Sequence, residues 1–259
     1  MPVITLISDR KTEDFFLGRL KGQILSICED VQIIDLAHNI GYHSISRAAF
    51  ILKNSWRHFP KGTVHIIGVD GECLEDRKHI IAEVYDQYFI TSDNGLLSLV
   101  FGKNELKEVI KIEICREGTV MTPALFDFGK TACKIIKGTK TGELGTKTSE
   151  YKRLTAIKPS YGDSHILGQM VYKDSYGNAV SNITFDLFQE VGKGRSYVIY
   201  AGSTANKINK ISIRYQDVEE GELAAVFNSM GLLEIAMNKG NLAELMNFSK
   251  DTQIRIEFK

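Results

Sequence analysis

The stretch Thr63-Val-His-Ile-Ile-Gly-Val-Asp70 constrains the fold more than any other. An apolar run rich in β-branched residues stops at a carboxylate. A polar loop and Arg77 follow, then a second apolar run from His79 to Tyr85. A short run of that kind reads as a buried strand. In an α/β domain, sites form at the carboxyl ends of such strands, which makes Asp70 a candidate site residue. The plainer alternative is that Asp70 only opens a turn.

The chain before this stretch repeats the pattern. Val3 to Ser8 is a short apolar run that ends at Asp9, as the later run ends at Asp70. Thr12 is a candidate cap for a helix from about Glu13 to Glu29, with Phe16, Leu20, Ile24 and Cys28 at steps of four along one face. Gln32 to Leu36 reads as a strand, followed by a loop with His38 and His43. A second helix is expected from Ser44 to Arg57, with Ile45, Ala48, Ala49, Leu52 and Trp56 inward, before Pro60-Lys-Gly62 breaks the chain. The order β-α-β-α-β implies parallel strands in a covered sheet.

After Arg77 the pattern changes. His79–Tyr85 and Tyr88–Thr91, separated by Asp86-Gln87, suggest an antiparallel hairpin whose turn lacks the preferred glycine. A strand near 108–114 and a helix over 126–137 follow, the latter despite Gly129. Residues 138–158 carry Lys, Thr, Gly and Glu with almost no apolar spacing, and read as a mobile linker. The expected organisation is an α/β domain over 1–158, linker included, and a smaller all-β barrel or sandwich over 159–259. In the second part, 167–172, 196–200, 210–215 and 252–258 are strand candidates. Asp174-Ser-Tyr-Gly-Asn178 and Asn228-Ser-Met-Gly231 are turn candidates, and 241–246 a helix candidate.

Composition and missing motifs exclude several classes. The charges of 32 Lys+Arg and 32 Asp+Glu cancel, which argues against a nucleic-acid binder held by a global positive field. No apolar run approaches the roughly 20 residues that span a bilayer, and Met-Pro-Val-Ile-Thr-Leu-Ile reads as a first strand, not a signal peptide. Cys28, Cys73, Cys115 and Cys133 form no CxxC pair, which fits free thiols in the cytoplasm better than disulfides or zinc. No glycine-rich GxGxxG follows the first strand, no HExxH or GxSxG occurs, and no histidine pair has metal-ligand spacing. No metal site is expected.

Several segments then stand together: Thr5-Leu-Ile-Ser-Asp9 with Asp14-Phe-Phe-Leu-Gly18, Lys21-Gly22, Asp35-Leu-Ala-His38, Phe59-Pro-Lys-Gly62, Val69-Asp70 with Arg77, and Asp93-Asn94-Gly95. In the second part they are Asp174-Ser-Tyr176-Gly-Asn178, Ser181-Asn-Ile183, and Asn228-Ser229-Met-Gly-Leu-Leu-Glu-Ile-Ala236 with Asn238 and Gly240. In their order and spacing they resemble the S-adenosylmethionine hydroxide adenosyltransferase family, which also contains the fluorinases and chlorinases.

The resemblance implies an N-terminal α/β domain, a C-terminal β-barrel, and a homotrimer with its sites between subunits. It implies S-adenosylmethionine as substrate, with no cofactor. Water attacking the ribose C5′ would give adenosine and methionine. By position, Asp70 and Arg77 match the catalytic aspartate and arginine. Asp9 would hold the ribose hydroxyls, with Asp14 nearby, and Asn94 lies in a matching segment. Asp174, Asn178 and Ser229 would take the methionine and adenine ends, with Tyr176 placed to stack on adenine. The departures are also specific. Arg10-Lys11 replaces the family's Phe-Gly, Pro123 stands where the family has a histidine, and the loop after Asp70 lacks Pro-Gly-Val-Gly. Retained Asp70 argues against halogenation. His79, on the same strand face as Arg77, is a candidate stand-in for the missing histidine. The alternative reading is a non-catalytic or altered-specificity binder of adenosine or S-adenosylmethionine.

Overall fold

In the computed structural model, residues 1–71, 78–102, 104–106, 108–113 and 124–259 are described. They form two compact units, Met1–Thr155 and Ala156–Lys259.

The first unit begins with β1 (Val3–Ser8), α1 (Phe15–Ile27), β2 (Gln32–Ala37), α2 (Ile45–Lys53) and β3 (Val64–Gly68). β1 pairs in parallel with both β2 and β3, as the alternating sequence pattern requires. Every residue of β1 and β3 is buried, because helices cover both faces of this part of the sheet. Leu17, Leu20 and Ile24 of α1 pack with Ile4, Leu6 and Ile66 on one face. Ala48, Ala49 and Leu52 of α2 pack with Ile7, Ile67 and Val69 on the other.

The helix boundaries differ from expectation. Asp14, not Thr12, occupies the N-cap of α1, and its side chain makes no capping bond. The second helix stops at Lys53, and a separate 3-10 turn at Trp56–His58 carries Trp56 into the core.

The sheet continues through β4 (His79–Val84) and β5 (Gln87–Ser92), an antiparallel hairpin. Its turn residues Tyr85 and Asp86 both have positive φ, 51° and 61°. This is the tight-turn backbone that normally selects glycine or asparagine. Next come α3 (Leu96–Val100), β6 (Val109–Ile112), α4 (Ala124–Ile136) and β7 (Thr146–Thr148). The full order is β2-β1-β3-β5-β4-β6-β7. α4 tolerates Gly129 because the glycine faces α1. A Cβ there would stand 2.9 Å from the Leu20 side chain. The mobile-linker reading of 138–158 needs correction. A 3-10 turn spans Thr141–Glu143, and β7 pairs antiparallel with β6. Two of its three residues are exposed, so an edge strand held by backbone bonds left no apolar signature.

The second unit runs β8 (Ser160–Gly162), β9 (His165–Lys173), β10 (Ala179–Thr184), α5 (Phe185–Gly192), β11 (Tyr197–Ala201), β12 (Lys207–Ile208), β13 (Leu223–Phe227), β14 (Leu232–Met237), α6 (Leu242–Leu245) and β15 (Gln253–Phe258). Its antiparallel sheet has the order β12-β11-β15-β9-β10-β14-β13, with β8 added beside β9. The two ends of this path meet: β12 contacts β13, and Ile211 just past β12 bridges Ala225 of β13. The unit is therefore a nearly closed barrel, filled by inward residues such as Ile166, Ile199, Ile235, Ile254 and Ile256. The strand expected at 210–215 is absent. Ile211 makes only that single bridge, and Tyr215–Asp217 is a 3-10 turn. α5 was not anticipated. Thr184 caps it by accepting from the Leu187 N–H at 3.2 Å.

One polar group is set into the core of the first sheet. His65 of β3 is fully buried, with Thr5 Oγ1 2.7 Å from Nδ1 and Gln87 Oε1 2.7 Å from Nε2. Gln87 donates its amide to the Phe59 carbonyl, so its oxygen accepts from His65 Nε2–H. Burial pushes the imidazole down to about 4 from its ordinary 6.5. Between those values the unfolded chain binds a proton that the folded chain refuses, so stability is lost as the pH falls through this window. At about 1.4 kcal/mol per pH unit the loss approaches about 3 kcal/mol by the lower end. Chemical denaturation from pH 7 down to pH 4 should show this loss. An NMR titration placing His65 near 6.5 in the folded protein would contradict it.

Candidate active site

Strand order reverses between β1 and β3. From β1 the chain crosses to β2 on one side and then returns to β3 on the other. α1 and α2 therefore cover opposite faces, and a crevice opens at the carboxyl ends of β1 and β3. Ser8 and Gly68 are register partners, and Asp9 and Asp70 lie just beyond them. The Asp70 N–H donates to Asp9 Oδ2 at 3.0 Å, which joins the two chain exits. Asp9, Arg10, Tyr42, His43, Gly68, Asp70, Gly71 and Leu125 line a concavity of about 110 Å³ there.

His43 is the addition that sequence reasoning missed. Its Nδ1 lies 2.7 Å from Asp70 Oδ1. The sequence placed His43 in a loop, 27 positions from Asp70, with no local pattern to connect them. The signal available was only that both residues follow strands that a β-α-β-α-β unit brings side by side. The expected stand-in, His79, sits elsewhere. It is buried, bonded to Ser92 Oγ at 3.2 Å and edge-on to Phe128, and does not line the concavity. Arg10 lines the concavity, but its guanidinium lies over the Phe16 ring, 4.8 Å from the centroid. Lys11 is exposed.

The remaining first-unit candidates have mixed placements. Asp14 is exposed at the start of α1 and does not line the concavity. Asn94 is buried, donating to the Val69 carbonyl at 2.9 Å and accepting from the Leu96 N–H at 3.1 Å. It thereby holds the residue immediately before Asp70. Arg77, Pro123 and residues 72–76 lie outside the described residues.

The second unit has its own concavity of about 380 Å³, which brings Asp174 and Ser229 together with Tyr172, Arg214, Tyr215 and Glu234. Two loops of the same design border it. Asp174 Oδ1 accepts from the N–H groups of Tyr176 and Asn178, and Asn228 Oδ1 from those of Met230 and Leu232. In each loop the third residue on is a glycine with positive φ, Gly177 at 83° and Gly231 at 70°. Asn178 is buried and donates to Asp174 Oδ2 at 3.0 Å, while Tyr176 is 78% exposed, its ring open to a stacking partner. Buried Glu234 accepts from Tyr215 Oη at 2.6 Å and from Asn228 Nδ2 at 2.9 Å. Burial and this bond to Glu234 push the Tyr215 hydroxyl well above the usual phenol range.

A mixed sheet with two carboxylates at its switch point, together with an antiparallel barrel-like unit, defines an α/β-plus-barrel protein. The family is then explicit. The model of the SAM hydroxide adenosyltransferase N-terminal domain matches residues 4–145, and that of the C-terminal domain matches residues 168–255. The chain belongs to this family. It is 26% identical to the (R)-S-adenosyl-L-methionine hydrolase of Methanocaldococcus jannaschii, over 99% of this chain and 96% of that protein. It is 35% identical to the fluorinase of Nocardia brasiliensis, over 99% of this chain and 97% of the other. A crystal structure of an uncharacterized conserved protein from Thermotoga maritima superposes with a TM-score of 0.86 at 26% identity, covering 98% and 99% of the two chains.

Removing the Asn94 side chain leaves a buried carbonyl and a buried N–H without a partner. Each costs about 1–3 kcal/mol when orphaned. Asn94→Ala should therefore destabilise the protein by about 2–6 kcal/mol, read as a lower urea midpoint. An unchanged midpoint would show that the bonds to Val69 and Leu96 do not hold the strand end.

Proposed function

We propose that this protein is an S-adenosylmethionine hydrolase, in which water attacks the ribose C5′ and releases adenosine and methionine. The observation that carries the reading is the pair Asp9 and Asp70 lining one concavity at the switch point. The substrate is a sulfonium, a leaving group that needs no general acid. What it requires is a nucleophile held in line with C5′ and sulfur. Carboxylates orient water and favour a cationic substrate. The same two carboxylates repel a halide ion, which favours water over halide as nucleophile. No cofactor enters this chemistry.

In this reading Asp70 and Arg77 act on the water and Asp9 holds the ribose hydroxyls, with Asp14 close by. Asn94 keeps the Asp70 loop in place through Val69. Asp174, Asn178 and Ser229 take the methionine and adenine ends, and Tyr176 stacks on adenine. The first concavity is smaller than the roughly 300–1,000 Å³ typical of ligand pockets, so it suits the reacting centre only. A homotrimer with sites between subunits supplies the remaining contacts. Two buried free thiols, Cys28 and Cys133, fit a reducing compartment such as the cytoplasm. Among the described residues no helix is long and apolar enough to cross a membrane.

The test is direct. Purified protein with S-adenosylmethionine, in halide-free and in chloride buffer, should form equal amounts of adenosine and methionine in both. Asp70→Ala should slow this by about 10²–10⁴-fold. If no adenosine forms but the ligand raises the melting temperature, the protein is a binder and the hydrolase reading fails.

A further inference from the structure

We propose that His43 is the base that takes the proton from the attacking water, with Asp70 as its orienting partner. The inference rests on the hydrolase reading and assigns a residue that the sequence did not mark. A carboxylate only accepts hydrogen bonds, so the 2.7 Å contact between Asp70 Oδ1 and His43 Nδ1 places the hydrogen on Nδ1. That fixes the tautomer and turns the Nε2 lone pair into the acceptor. Both side chains line the concavity at the carboxyl ends of β1 and β3.

The placement is built by the backbone. His43 and Asp70 both adopt the left-handed conformation, with φ of 55° and 47°. That conformation is uncommon outside glycine. Asn39 N–H donates to the Arg10 carbonyl and ties the His43 loop to the site, while Ser44 N–H donates to the Gly41 carbonyl within the loop. The side chain of His43 is 58% exposed and that of Asp70 17%, so the imidazole bridges the carboxylate and solvent. Among the described residues, the other ionisable groups lining the concavity are Asp9, Arg10 and Tyr42.

The step balances without an oxidant or a metal. The water oxygen bonds to C5′ as the C5′–S bond breaks, and the bonding pair leaves with sulfur as the neutral thioether of methionine. The water proton passes to His43 Nε2 and then to solvent. One sulfonium cation and one water give adenosine, methionine and one proton.

The experiment measures kcat and KM for S-adenosylmethionine across pH with the full chain, its His43→Gln and His43→Ala variants, and melting temperatures for all three. His43→Gln should lower kcat by about 10²–10⁴-fold. KM should move by less than about threefold and melting should stay unchanged. The acid limb of the wild-type rate should vanish, and free imidazole should restore part of the His43→Ala activity. An active wild type with an equally active His43→Gln overturns the base role and leaves the hydrolase reading standing. A slower variant with the wild-type pH profile and no imidazole rescue makes His43 a structural residue and also overturns it. A wild type that forms no adenosine removes both assignments together.

Discussion

The parallel pairing of β1 with β3 is the constraint on which the site depends. It sets Ser8 against Gly68 and so delivers Asp9 and Asp70 to one point. Because strand order reverses there, neither α1 nor α2 can close the gap above the strand ends. The Asp70 N–H on Asp9 offsets part of the repulsion between two neighbouring carboxylates. Gly68 completes the arrangement. A Cβ there would land on Leu125 of α4, so glycine lets that helix approach the floor of the concavity.

The barrel unit solves a different problem by repetition. Its concavity lies at two hairpin ends, β9–β10 and β13–β14, each closed by a side-chain oxygen that takes two backbone N–H groups. This rigidifies polar loops without apolar packing, and it leaves Tyr176 and Ser229 displayed rather than buried. Glu234 ties the second loop to Tyr215 across the concavity, so the pocket wall is a hydrogen-bond network around one buried carboxylate.

Much of the architecture was legible because it is written in apolar periodicity. Val3–Ser8 and the apolar run that ends at Asp70 read as buried strands, and the helices between them implied parallel pairing. The barrel strand Gln253–Phe258 announced itself by alternation, with Ile254, Ile256 and Phe258 inward. What escaped was held by backbone or by a single long-range contact. β7 is an exposed edge strand, and its polar residues looked like linker. Residues 210–215 carry alternating apolar side chains, yet Ile213 is 91% exposed and only Ile211 finds a strand. Asp70 was legible as a strand end beside a site. His43 was not, since its meaning arises only when two loops meet in space.

The backbone at Asp70 is left-handed, as it is at His43. Left-handed conformation costs a non-glycine residue about 1–2 kcal/mol, and glycine removes that cost. This chain uses glycine where only the turn matters, as at Gly177 and Gly231. Where it keeps another residue with positive φ, the side chain often has work. Tyr85 stacks on Trp56, Asp86 pairs with Lys61, and Lys239 pairs with Glu220. Asp70 and His43 follow the same logic, but their partner is each other, and their shared wall is a concavity rather than a surface. Two separate loops each accept an unfavourable backbone so that one carboxylate and one imidazole can meet.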